Sequence, residues 1–425
     1  MFRAYQALPV LVLLTGMSLA QSTDSSDQET IRLLVQQVKE LQEKVQALEA
    51  KQADSAVSAE AVPTHSAEPG SAEKTGNTAQ MVTAVLALHE LHGFQWHGFG
   101  EVNYKVLDQR QPELGTFGFV PGSAGSFYTG DFDLFLTARV NDRTSVISEI
   151  VFGEGDAQSF DVDLERFLLK YDRDDHLKMS FGRYHTGIGY YNTAFHSGKW
   201  LQTTVDRPLV MEFADDGGLL PTQAVGVSVT GLVPSGTLGL NYLMEYGSSD
   251  TIRPHIDGSG RLDDENNSNH VVLGVFARPD GVPGLQVGGS YYHDKISHRE
   301  LNSTARFGQT VVNGHVVYVA HGIEFLNEGF LIRHALEGSS TVFNTPAFYS
   351  QLSKRFRRIR PFFRYQYVNA SALGFYEDVL LRYGPSFGAR YDFNDNIAFK
   401  TQLDHTLRKN KPDLNGLQMQ VAFTF

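Results

Sequence analysis

The chain has no cysteine, only two tryptophans and fewer basic than acidic residues. Without cysteine, disulfides, thiolate metal sites, iron-sulfur clusters and thiol nucleophiles are all excluded. Its 36 basic side chains are outnumbered by 48 acidic ones, for a net charge of -12. The phosphate-neutralising surface of a nucleic-acid binder is therefore missing. Long apolar runs are missing too: past the first twenty residues, none approaches the ~20 apolar residues that a membrane-crossing helix needs. What the 425 residues do hold is 12 % aromatic side chains and 40 glycines, with 41 % hydrophobic residues in all. That balance fits a chain that meets lipid through strands, where apolar positions alternate with polar ones.

The front of the chain divides into three. Arg3, an apolar stretch from Ala7 to Leu14 and the small residues Ser18 and Ala20 before Gln21 have the layout of a secretory signal, expected to span 1–20. In 21–51, Ile31, Leu34, Val38, Leu41, Val45 and Leu48 alternate gaps of three and four, the period of a coiled-coil seam. Lys44 and Glu49 fall at positions that pair across such a seam, and Val35 widens it enough to leave the oligomer number open. Residues 52–95 turn to Ala, Ser, Glu, Pro, Gly and Thr, which reads as a flexible linker, with a short apolar helix from Met81 to Leu91 near its end. His89 and His92 lie three apart, not the four that a zinc-binding helix uses, so no metal is expected there.

From Trp96 to Phe425 the signal is alternation. In the last nine residues, Leu417, Met419, Val421, Phe423 and Phe425 alternate with Gln418, Gln420, Ala422 and Thr424. A period of two over that length matches one tilted strand crossing of the hydrocarbon layer. Similar segments carry Ile397 to Asp404, Phe387 to Phe393, Phe363 to Tyr367, Leu238 to Glu245, Val225 to Thr230 and Phe132 to Arg139. Tight connections, such as Asn141-Asp142-Arg143 and Asn394-Asp395, alternate with long ones, such as 187–222 and 247–269. Short turns on one rim and long loops on the other predict an all-β, 16-stranded antiparallel transmembrane β-barrel over 96–425, preceded by the coiled-coil helix. The stretch from Val311 to His334 has no clear phase, which leaves fourteen or eighteen strands open beside sixteen. Closure is required because an open sheet edge in lipid leaves backbone amides unpaired. An interior this wide and this charged is expected to hold water.

With its alternating body and terminal phenylalanine, the sequence resembles the Gram-negative outer-membrane porins, and its coil-plus-barrel layout is similar to that of the phosphate-selective porin O/P group. The resemblance implies a channel for passive diffusion of small hydrophilic solutes or ions. It also implies location in the outer membrane with the coil in the periplasm, a homotrimer, contact with outer-membrane lipid, and recognition of Phe425 by the barrel-assembly machinery. No cofactor and no enzyme chemistry are implied. An envelope tether and a substrate-specific sugar or anion channel are the alternative readings.

Placing the apolar phase toward lipid turns Arg139, Glu149, Arg166, Lys170, Glu245, Arg278, Arg364, Arg390, Asp392, Lys400 and Asp404 toward the pore, with Asp133, Asp294 and Glu328. Both signs are present, so the wall alone does not choose an ion. Six basic and eleven acidic groups precede residue 96, leaving the body at -7, a weak tilt toward cations. The connection 187–222 is too rich in apolar and aromatic residues for a solvated excursion. The porin resemblance makes it the loop that folds inward and narrows the pore. Its candidates are Tyr190, Tyr191, Lys199, Trp200, Asp206, Arg207, Glu212, Asp215 and Asp216. Lys199 and Arg207 facing Glu212, Asp215 and Asp216 would set a transverse field, and Tyr190, Tyr191 and Trp200 could offer stacking faces to a sugar. The acid excess in this loop argues against phosphate selectivity. His185, His196, His293, His334 and His405 come with no paired-histidine metal motif and no Gly-x-Ser-x-Gly elbow, so no metal and no catalytic residue are expected among them.

Overall fold

The computed structural model describes residues 94–109, 124–154, 160–212, 218–249, 269–297, 306–374, 376 and 379–425. The signal, coil and nearly all of the linker lie outside the described residues, as do Asp215 and Asp216. The alternating segments form β1 (Phe94–Leu107), β2 (Ala124–Asn141), β3 (Thr144–Glu154), β4 (Phe160–Asp174), β5 (Leu177–His185), β6 (Gln223–Leu232), β7 (Leu240–Ser249) and β8 (His270–Ala277). They continue as β9 (Leu285–Ser297), β10 (Arg306–Ala320), β11 (Ile323–Leu336), β12 (Val342–Lys354), β13 (Ile359–Asn369), β14 (Leu381–Asp392), β15 (Ile397–Arg408) and β16 (Leu414–Thr424). Each pairs antiparallel with its neighbours in sequence, and β1 pairs with β16 from Phe99↔Thr424 to Leu107↔Gly416, closing the barrel. Strand number and closure are as the alternation predicts.

The phases are also as predicted where the sequence shows them. Val421, Leu403, Phe387, Phe363 and Met244 are exposed on the outer face, while Gln418, Gln402, Arg390, Arg364 and Glu245 on the opposite phase are buried inside. At the seam, Phe425 exchanges backbone hydrogen bonds with Gly98 (3.0 Å each way), and its ring meets Trp96 edge-on at 6.0 Å and stacks on Phe132 at 5.8 Å.

The unphased stretch resolves into β10, a two-residue turn and β11. His321 and Gly322 both have positive φ (54° and 71°), as a tight hairpin turn that follows the sheet twist requires. The alternation blurs because the inner face carries Val311, Val317, Leu326, Phe330 and Ile332 among its polar residues, while Val312, Val316 and Leu331 point outward.

That inner apolar face departs from the expected water-filled wall. Val272, Tyr292, Val311, Leu326, Phe330 and Ile332 pack with Ile188, Tyr191, Val210, Met211, Leu219 and Leu220 of the connection between β5 and β6 in one buried cluster. On the β8–β12 side the barrel therefore holds a dry core, because the inward connection supplies apolar partners that water would otherwise replace.

Candidate functional site

The connection from β5 to β6 has little regular structure of its own. Among its described residues are one short helix, α1 (Tyr190–Phe195), and single 3-10 turns at Lys199–Leu201 and Leu209–Met211. Most of its backbone N–H and C=O groups must therefore find partners elsewhere, and buried backbone groups rarely go unpaired. The wall supplies them. Acids and amides accept from loop N–H groups: Glu328 from Tyr190 (2.6 Å) and Tyr191 (2.8 Å), Asp133 from Gly198 (2.9 Å), Glu245 from Gly187 (3.0 Å), Gln402 from Val205 (3.0 Å) and Gln366 from Leu209 (3.1 Å). Cations donate to loop carbonyls: Arg364 to Asp206 (2.8 Å), Arg390 to Trp200 (2.5 Å) and Gln202 (3.0 Å), Lys400 to Lys199 (2.5 Å) and Thr204 (3.2 Å). Gly189, at φ 82°, permits the first of these contacts, since a Cβ there would lie 2.6 Å from Glu328 Oε2.

The charged side chains assigned to the lining thus fall into groups. Glu245, Glu328, Asp133, Arg364, Arg390 and Lys400 are buried and bind the connection directly. Glu149 is buried and paired with Arg166, whose guanidinium also lies 4.8 Å from the centre of the Phe135 ring. Asp404 accepts from Ser386 (2.5 Å) and Gln402 (2.9 Å), and Asp392 accepts from Arg390 (2.7 Å). Asp294 accepts from the Tyr292 hydroxyl at 3.1 Å. Lys170 is half-buried, opposite Ser145 and Ser180 on the neighbouring strands. Arg278 donates to Gln286 (2.9 Å) beside the β8–β9 turn. Arg139 sits at the short-turn rim, exposed and paired with Asp142 (2.9 Å), away from the connection.

The predicted constriction residues among those described are brought together, some of them in pairs the sequence does not suggest. Lys199 faces Glu101 on β1 (3.8 Å), Asp206 faces Lys105 (3.6 Å) and accepts from Gln418, and Arg207 donates to the His196 carbonyl. Lys199 and Asp206 are thus tied to the wall, while Arg207 lies in the field of the Glu212 carboxylate, a pairing the sequence suggests. Tyr191 is buried with its hydroxyl on Gln202 (3.0 Å), Tyr190 packs against Phe195 and His315, and the half-buried Trp200 ring packs against Phe99 and the Arg390 guanidinium. All three rings pack on loop or wall; Tyr191 is buried, and Tyr190 and Trp200 are half-buried. The wall residues Glu101, Lys105, Glu324, Gln366, Gln402 and Gln418 went unrecognised in the sequence as loop anchors, although each lies in the polar phase of a strand.

A second group was not legible at all. Glu165 on β4, His185 at the end of β5 and His196 after α1 converge, with the two imidazole rings stacked 3.5 Å apart.

Two loop groups contribute to the response to acid. Burial first, then the Arg207 and Arg166 guanidiniums, holds His196 well below the usual imidazole range. Burial works against the Asp206 carboxylate, but Lys105 and Lys199 outweigh it and hold Asp206 below its usual range. Both folded-state pKa values are lowered, so the docked connection binds fewer protons than an undocked one and loses stability as pH falls. The His196 penalty begins below its unperturbed value of ~6.5, and the Asp206 contribution is lost below ~3.9. Trp200 fluorescence in a Trp96→Phe background is expected to change in these two stages. His196→Gln is expected to remove the first stage and leave the second.

No family model matches the chain, and no curated protein matches it. Solved structures do. An anion-selective porin from Comamonas acidovorans is 11 % identical with a TM-score of 0.54, over 78 % of this chain and 99 % of that one. The outer membrane channel DcaP of Acinetobacter baumannii is 9 % identical at 0.53, over 78 % and 97 %. OmpT, an outer membrane protein of Vibrio cholerae solved in a trimer form, is 11 % identical at 0.51, over 78 % and 99 %. At such identities the likeness is one of fold: this chain has the fold of the outer-membrane porins.

Proposed function

We propose that the protein is an outer-membrane porin whose β5–β6 connection narrows a channel for passive diffusion of small hydrophilic solutes or ions. The observation that carries this reading is the position of that connection. It lies inside a closed barrel, fastened by buried charged side chains on β1, β2, β7, β11, β13, β14 and β15, while the outer phase is apolar. A lipid-facing barrel needs only its outer face to be apolar. A chain segment drawn into its lumen adds nothing to spanning and acts on what passes.

In this reading the signal directs export, the coil stands on the periplasmic side and Phe425 presents the last strand to the assembly machinery. Three copies associate, as the trimer form of the OmpT neighbour favours. Single-channel recording in planar bilayers is expected to show discrete steps grouped in threes. Under a salt gradient the reversal potential should lean toward cations, in line with the -7 of the body. Reconstituted protein that inserts yet never conducts would leave the tether reading, in which deleting 21–51 abolishes envelope attachment.

A further inference from the structure

The Glu165, His185 and His196 group has no part in the channel reading. β4 carries one extra residue against β3, the register passing from Glu149↔Arg166 to Ile150↔Leu164, and that extra residue is Glu165. The bulge aims its carboxylate at the two histidines. Glu165 Oε2 lies 3.3 Å from His196 Nε2 and 3.8 Å from His185 Nε2, and Glu149 Oε2 lies 3.9 Å from His185 Nε2.

Asn192 identifies the His196 tautomer. Its amide nitrogen donates to the carbonyls of Thr186 (2.8 Å) and Thr222 (3.0 Å), which leaves its oxygen to accept from His196 Nδ1 at 2.8 Å. In neutral His196, Nε2 then bears a lone pair and faces a carboxylate oxygen. Two acceptors facing each other in a buried site require positive charge between them. A proton would serve that one pair. It would leave His185 Nε2, which is buried without a hydrogen-bond partner, aimed at the same oxygen. A metal ion serves all three.

We propose that Glu165, His185 and His196 bind one divalent transition metal of the zinc class, with the Glu149 carboxylate within reach as a fourth ligand. Two imidazole nitrogens and a carboxylate suit such an ion. Ligand bonds of ~2.0–2.2 Å place neighbouring donor atoms of a tetrahedral site ~3.3 Å apart. The 3.3 Å separation meets that, and the 3.8 Å one requires the His185 ring to swing off its 3.5 Å stack on His196 so that its Nε2 turns to the ion. Gln223 donates to Glu165, and Arg166 binds Glu149, so both carboxylates are already oriented. The ion would clamp the connection, through His196, to the β4–β5 hairpin.

The test uses full-length protein folded in detergent, stripped with chelator and checked for its barrel by heat-dependent gel mobility. Cobalt(II) is the probe. Folded wild type is expected to develop the visible absorption of a tetrahedral cobalt site, saturating at one ion per chain and displaced by zinc. His185→Gln and His196→Gln should each lose the band, whereas His405→Gln, on β15 beside Asn415, should keep it. A folded wild type with no band, or a band that survives in the His185→Gln/His196→Gln double variant, overturns the proposal. Since the band is read without any current, a channel that fails to conduct leaves this result standing on its own.

Discussion

Replacing residues 188–219 by a short Gly-Ser linker is expected to raise single-channel conductance several-fold. The connection crosses the interior and is anchored on strands from β1 through β15, so its removal opens the cross-section that limits current. A sixteen-strand barrel without an inward segment is wide enough for an aqueous channel. The same deletion strips Val272, Val311, Leu326, Phe330 and Ile332 of their apolar partners. Each Å² of apolar surface returned to water costs about 25 cal/mol, so the barrel should also lose heat resistance. Unchanged conductance in a correctly folded variant would remove the connection from the permeation path and with it the proposed constriction.

A single substitution should reproduce much of this. Glu328 accepts from the Tyr190 and Tyr191 amides and from the Tyr349 hydroxyl (2.5 Å), with Asn313 at 3.4 Å, so Glu328→Ala leaves several buried donors without an acceptor. Each such donor costs about 1–3 kcal/mol. Undocking the start of the connection into water relieves that cost, whereas the β-ladder between β10, β11 and β12 does not depend on this side chain. The expected result is a barrel with wild-type heat-dependent mobility, higher and noisier current, and faster proteolysis within 186–212. Glu328→Gln, which keeps one acceptor oxygen, should fall between. If Glu328→Ala protects the connection as well as wild type does, the apolar cluster alone holds it and the polar anchors are secondary.

How much of this was legible follows from where each residue's partner lies. The strands β13–β16 declare themselves because one face meets lipid and the other meets polar groups, so the period of two survives in the sequence. β10 and β11 hide it because Val311, Leu326 and Phe330 answer to the connection on the inside while Val312 and Leu331 answer to lipid. The inward connection could be anticipated from its aromatic and apolar content. Its contacts could not, because Lys400 meets Thr204, and Gln402 meets Val205, across nearly two hundred residues of chain. Glu165, His185 and His196 have no motif spacing, since a bulge, a hairpin and a returning loop bring them together.

The β10–β11 hairpin, apolar outside and partly apolar inside, has a consequence before the protein reaches its membrane. A strand pair with one polar face can shield itself by collapsing on its apolar side, but here Val311, Leu326, Phe330 and Ile332 interrupt the polar inner face as well, so neither side is wholly safe in water. During transit through an aqueous compartment it is the part of the polypeptide most apt to stick to another copy, and the part on which an escorting chaperone would have to hold.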